Sequence, residues 1–306
     1  MKWLLLAGLL LFVSACVVEP EDSYAPSGIK DSKQAGSLAV HLFVNPDPAK
    51  RNLTTDDEIN VGLYFENRNN EPIDGIVSLE DTPNDEQFGG IYGKAISSFS
   101  ISASLGGRPG VMSVFPESQG ITYQDSQGRL KSTSFISEVR YQREITFISD
   151  DFWLRRMITD RPEGCKKNCE ISNAVASNSP VISSIREEVF AWGNNHELTS
   201  YVDSMQLDFD VSEGACELIP YDKAENFDVI EKDEKVLSLD ISLQQSGISL
   251  ECKEKEGKDQ KRKTIICVID NMLNDGDYTE RITGTIKYGC RLFLRSGEIN
   301  FGSKGG

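Results

Sequence analysis

The sequence predicts an all-β protein, two tandem antiparallel β-sandwiches that follow an export signal and a flexible tether. Three observations predict it. Short apolar runs alternate with polar residues at a period of two and are separated by Gly, Pro, Asn and Asp turns. The first sixteen residues, MKWLLLAGLLLFVSAC, have one Lys, an apolar run and a small-residue end, the layout of a secretory signal. Seven cysteines stand in a chain so addressed, where thiols pair oxidatively.

Residues 1–16 therefore form a signal peptide, and its end, Val13-Ser14-Ala15-Cys16, resembles the lipobox of prokaryotic lipoproteins. That resemblance implies lipidation of Cys16. Each buried acyl methylene contributes about 0.8 kcal/mol, so a two-chain lipid holds a folded domain at a membrane. The alternatives are an ordinary cleaved signal or an uncleaved anchor, because the apolar run is slightly short of a bilayer span. Residues 17–36 carry Glu19, Pro20, Glu21, Asp22, Pro26 and Gly28 and read as the tether. Ser27-Gly28-Ile29-Lys30 matches an S-x-x-K acyl-enzyme motif, but a tether gives a nucleophile no rigid setting.

Residues 37–160 are expected as the first sandwich. Leu38, Val40, Leu42 and Val44 alternate up to an Asn-Pro-Asp-Pro stop, with His41 a packed or solvent-facing strand residue. Ile59 to Phe65 and Ile73 to Leu79 follow, and Ile96 to Ser104 and Val111 to Phe115 are strands inside a Gly- and Ser-rich passage. Residues 134–149 form a long closing strand, with Phe135, Val139, Tyr141, Ile145 and Phe147 spaced mostly by two, continued by Phe152 to Ile158. Residues 161–180 read as a Cys-containing linker. Residues 181–301 are the second sandwich and 302–306 a flexible tail. Residues 181–192 fit helical and strand spacing alike and are assigned to a strand on context.

With Cys16 lipidated, six cysteines remain and allow fifteen pairings. The spacing favours Cys165 with Cys169 in a small ring and Cys252 with Cys267 across a polar tip. Cys216 is left to pair with Cys290. Zinc is the competing use of such cysteines, yet only His41 and His196 are present to assist.

A net charge of −16 argues against nucleic acid, whose phosphates need clustered Lys and Arg. Neither G-x-S-x-G nor H-E-x-x-H occurs, no phosphate-loop spacing is found, and no histidine stands beside a nucleophile motif. No catalytic residue, cofactor or metal is expected. The acidic runs Asp56-Asp57-Glu58, Glu80-Asp81 and Asp85-Glu86 serve either solubility or calcium at loop ends. Asn52-Leu53-Thr54 is a candidate N-glycosylation sequon.

The segments INVGLYFENRNNEPIDGIVSL, near residues 38–79, and SLEC, IICVI, DYTERITGTIKYG and LFLRSGEINF, near 249–301, resemble strands of archaeal exported proteins. Those proteins are built from tandem immunoglobulin-like sandwiches of the CARDB-like kind. The resemblance implies that fold and a surface location and brings no functional residues with it. The expectation is a non-enzymatic, membrane-anchored protein on the extracellular face, structural, adhesive or protein-binding within the envelope, with an envelope protein or glycan as partner. A carbohydrate- or solute-binding module is the alternative, with Trp153, Trp192 and Tyr201 as its candidate aromatics; an enzyme would need an unrecognised carboxylate site.

Overall fold

The computed structural model describes residues 28–82, 85–91, 93–114, 120–125, 129–154, 157–158, 168–176, 182, 184–192, 200–231, 234–255, 259–270 and 278–302. Among them there is no α-helix; the chain is all-β, with every strand pair antiparallel.

The N-terminal sheet runs β1 (Ile29–Ala35), β2 (Leu38–Asn45), β3 (Asn60–Asn67), β6 (Gly110–Val114). Its inner face is the expected alternation: Leu38, Val40, Leu42 and Val44 are at most 1 % exposed. β1 comes from the end of the stretch expected as a tether. Its polar sequence, IKDSKQA, gives no apolar period, but the Gly36-Ser37 turn folds it back on β2 as an edge.

The central sheet is built on two unusually long strands, β7 (Ser132–Ile148) and β18 (Ile282–Arg295), paired through thirteen residue pairs. At roughly 3.4 Å per residue β7 runs about 55 Å, about three times an ordinary strand. No Gly or Pro interrupts its sequence, STSFISEVRYQREITFI. On the far side of β7 lie β4 (Ile73–Thr82) and then β5 (Ala95–Ile101); β19 (Ile299–Asn300) pairs with the start of β7. Beyond β18 lie β13 (Glu217–Ile219) and β14 (Ser238–Leu243). Strands from both halves of the sequence thus share one sheet.

The third sheet contains β9 (Met157–Ile158), β10 (Asn168–Ala176), β11 (Ser184–Trp192), β12 (Ser200–Ser212), β15 (Glu251–Glu254) and β16 (Arg262–Asp270). β10 falls within the stretch expected as a linker, and β11 is a strand where spacing alone was ambiguous. A small pair, β8 (Phe152–Leu154) with β17 (Tyr278–Glu280), completes the list of strands.

Odd-numbered residues of β7 all point to one face of the central sheet, and both other sheets pack there. Phe99 of β5 stacks on Phe65 of the N-terminal sheet with centroids 4.7 Å apart, and Phe147 at the end of β7 meets Phe209 of the third sheet at 5.8 Å. The N-terminal and third sheets therefore sit side by side on the same face, at opposite ends of the long strands.

Candidate functional site

Where those two sheets meet, the inner face of β7 and β18 changes character. Along β7 the inward sequence is Phe135, Ser137, Val139, Tyr141, Arg143, Ile145, Phe147, so a tyrosine and an arginine interrupt an otherwise largely apolar row. The register sets Tyr288 of β18 opposite Arg143 and Cys290 opposite Tyr141. Glu213, immediately after β12, enters the same space, its carboxylate only 1 % exposed.

Tyr288 Oη donates to Glu213 Oε2 at 2.7 Å, and Arg143 Nε stands 3.3 Å from Glu213 Oε1. With its amide turned to present Oδ1, Asn69 accepts from Arg143 Nη1 at 2.7 Å and Nη2 at 3.2 Å. Arg143 thus ties Asn69, in the loop after β3, to Glu213, at the end of β12. One guanidinium joins the N-terminal sheet to the third sheet across the central one. The turn before β2 closes over it: a Cβ on Gly36 (φ +54°) would lie 2.6 Å from Glu213 Oε1, so only glycine fits there.

Burial raises the Glu213 pKa, more than Arg143 and Tyr288 lower it. For Arg143 burial works downward, and the Glu213 carboxylate, with Tyr288 and Tyr141, outweighs it. Burial also pushes Tyr141 and Tyr288 well above the ordinary phenol value, with Glu213 adding to it in both. The Tyr141 hydroxyl has no hydrogen-bond partner, and Arg143 Nε has only its ion-pair contact. The junction is a buried ion pair that connects elements. Closed off from solvent, it offers a substrate no entry.

Cys216 is bonded to Cys290 beside this junction, and Cys252 to Cys267 across the β15–β16 pair, where the ladder sets them opposite each other. Glu213, Cys216 and Cys290 bring potential ligand atoms within 4.8 Å of one another. Sulfurs bonded to each other offer no thiolate, and the carboxylate already serves Tyr288 and Arg143, so these residues do not fit a metal. Cys169 lies on β10 opposite Ala191. Cys16 and Cys165 lie outside the described residues, as does the side chain of Cys169.

The acidic runs do not assemble into one cluster; Asp57, Glu58, Asp81 and Asp85 each hold a loop. Asp57 Oδ2 accepts from Thr54 N at 2.7 Å and Thr54 Oγ1 at 2.9 Å, and Arg51 pairs with the other oxygen. Glu58 accepts from Gly120 N, and Asp85 from Gln87 N. Asp81, 2 % exposed, accepts from Tyr123 Oη at 2.6 Å and Ile91 N at 3.0 Å through Oδ2, leaving Oδ1 unpaired. Sequence reading missed Glu280 and Glu254. Glu280, fully buried, accepts from Gln245 N, Ser246 N and Ser246 Oγ; Glu254 accepts from Val236 N and Leu237 N and pairs with Lys263. These carboxylates satisfy backbone N–H groups, several of them in turns.

Asn52 is exposed, while its neighbour Leu53 is buried and bridges to Phe301. His41 Nδ1 is 2.6 Å from Ser32 Oγ, on a strand with no nucleophile motif beside it. Trp153, Trp192 and Tyr201 lie outside the residues whose side chains are described.

Fold and site together define a class, an all-β protein whose sheets are locked by a buried polar junction and disulfides. No family model matches the chain, no curated protein aligns with it and no solved structure matches it.

Proposed function

We propose that this chain is an exported, membrane-anchored, non-enzymatic surface protein, a rigid structural or protein-interaction module of a cell envelope. One observation carries the reading: Cys216–Cys290 and Cys252–Cys267 are bonded within the sheets, and structural disulfides belong to oxidising compartments. The export signal and the lipobox-like end at Cys16 supply an address consistent with that chemistry. The engagement of Glu213, Asp81 and Glu280 in holding elements together supports a scaffold over a catalyst. The anchor is a lipid on Cys16 or the uncleaved apolar segment, and the partner is an envelope protein or glycan.

Intact mass of the protein extracted from its native membrane, before and after thiol labelling without reductant, tests the reading. Loss of residues 1–15 with a lipid increment on Cys16, or an intact leader retained in the membrane, together with no labelled cysteine, is the expected result. Labelling of Cys216, Cys290, Cys252 or Cys267, or recovery of the chain in the soluble fraction with neither anchor, would overturn it.

A further inference from the structure

Among the described residues β5 pairs only with β4, so one side of the central sheet ends in a free row of backbone N–H and C=O groups. Proteins usually guard such edges with charge or proline. Other edges here are guarded: Lys30, Asp31 and Lys33 on β1, Asp240 on β14, Glu251, Lys253 and Glu254 on β15, and Pro109 immediately before β6. β5 is not. Its sequence, AISSFSI, contains no charge in a chain that is 26 % charged and carries −16 overall.

The surroundings of β5 point the same way. Of the seven large hydrophobic side chains exposed among the described residues, Ile96 (59 %) lies on β5 itself and Leu105 (84 %) in the loop that follows it. The opposite side of the N-terminal sheet is closed, because Asp31 Oδ2 accepts from Arg295 N at 3.0 Å and Ala215 N donates to Gln34 O at 2.9 Å.

We propose that β5 is a docking edge for a second copy of this chain, the two strands pairing antiparallel about a twofold axis at Ser98 and continuing the central sheet across the dimer. The strand is self-complementary in that register. Ala95 falls opposite Ile101 of the second copy, Ile96 opposite Ser100, and Ser97 opposite Phe99, so every large side chain meets a small one. Even-numbered residues stay on the exposed face and odd-numbered ones on the core face, preserving the pleat. Two acidic copies repel over most of their surface, and this neutral strip is where they can approach. The inference does not depend on anchoring or export.

Cross-linking of the full chain tests it. Directly opposite residues have Cα atoms about 4.5–5.5 Å apart, within disulfide reach. A Ser98→Cys chain should form a covalent dimer on a non-reducing gel, above the background of the unsubstituted chain, whereas Ser32→Cys on guarded β1 should not. Adding Ile96→Lys and Ser100→Lys sets like charges opposite each other twice and should lower the yield at least tenfold. Mixing that chain with one carrying Ser98→Cys, Ile96→Glu and Ser100→Glu should restore it. These substitutions lie on the exposed face, and unchanged thermal unfolding confirms that each chain is folded. Cross-linking of Ser98→Cys no better than Ser32→Cys, or insensitive to the charge pairs, would overturn the proposal. So would an unsubstituted chain that sediments as a monomer at hundreds of micromolar.

Discussion

At the scale of single residues, Arg143 and Glu213 show how a buried charge becomes structural. Neither has water to fall back on, so removing one leaves the other uncompensated. Glu213→Gln should cost about 3–5 kcal/mol in urea denaturation, the usual result of breaking a buried pair from one side. Tyr141→Phe should behave oppositely. Its hydroxyl is buried and unpartnered, so deleting it should be neutral or stabilising by about 1 kcal/mol in the same measurement. Asp57 gives a pH-dependent case. Its carboxyl is held below the ordinary 3.8, first by the Thr54 backbone N–H, then by the Thr54 hydroxyl and Arg51. A depressed acid contributes stability above its unfolded value, lost as pH falls through the folded one. Asp57→Asn should therefore flatten the acid limb of a stability-versus-pH curve below about pH 4 and leave the shape near neutrality unchanged. Of these residues Tyr141 stands in the alternating row of β7 and Asp57 in an acidic run of the sequence, while Arg143 shows only as a gap in that row. Asn69, Glu213 and Tyr288 come from three other loops and strands, and nothing in one sequence says that they meet.

Elements were more legible because a strand advertises its buried face every second residue. β2 and β3 follow the alternation of Leu, Val, Ile and Phe closely, whereas Ile96 of β5 and Val111 of β6 fall out of phase with their buried neighbours and are exposed. β1 reads as tether because an edge strand has one neighbour and little core to fill, so its sequence stays polar. β10 fell in an expected linker for want of an apolar period strong enough to outweigh its Asn and Ser residues. The β15–β16 pair was better marked: two apolar runs around a charged tip place Cys252 and Cys267 opposite one another. That bond closes a short loop, with a sequence separation of 15, and constrains the unfolded chain by about 3 kcal/mol. Replacing both cysteines with serine should lower the stability of the folded chain by about that amount in denaturant titration.

For the whole molecule, the pairing of β18 with β7 matters most and was the least legible. Alternation identifies both strands and says nothing of which neighbour each will choose; a division into consecutive sandwiches keeps β7 and β18 apart, whereas the ladder joins them through thirteen residue pairs. A chain ending at Asp270 lacks β18 and β19, leaving β7 with only β4 beside it. Such a chain should lose cooperative unfolding by circular dichroism and amide protection throughout the N-terminal strands as well as near the cut. Ile299 and Phe301 strengthen that expectation, since Ile299 pairs with Thr133 and Phe301 bridges to Leu53.

The same pairing sets a timetable for synthesis. A ribosome making this chain finishes β7 and must add well over a hundred further residues before β18 appears, so over that interval the nascent polypeptide has no finished central sheet to settle into. Late closure keeps the polypeptide threadable for as long as it is attached. Under the export proposed above, the same delay would postpone folding until the chain has passed the membrane.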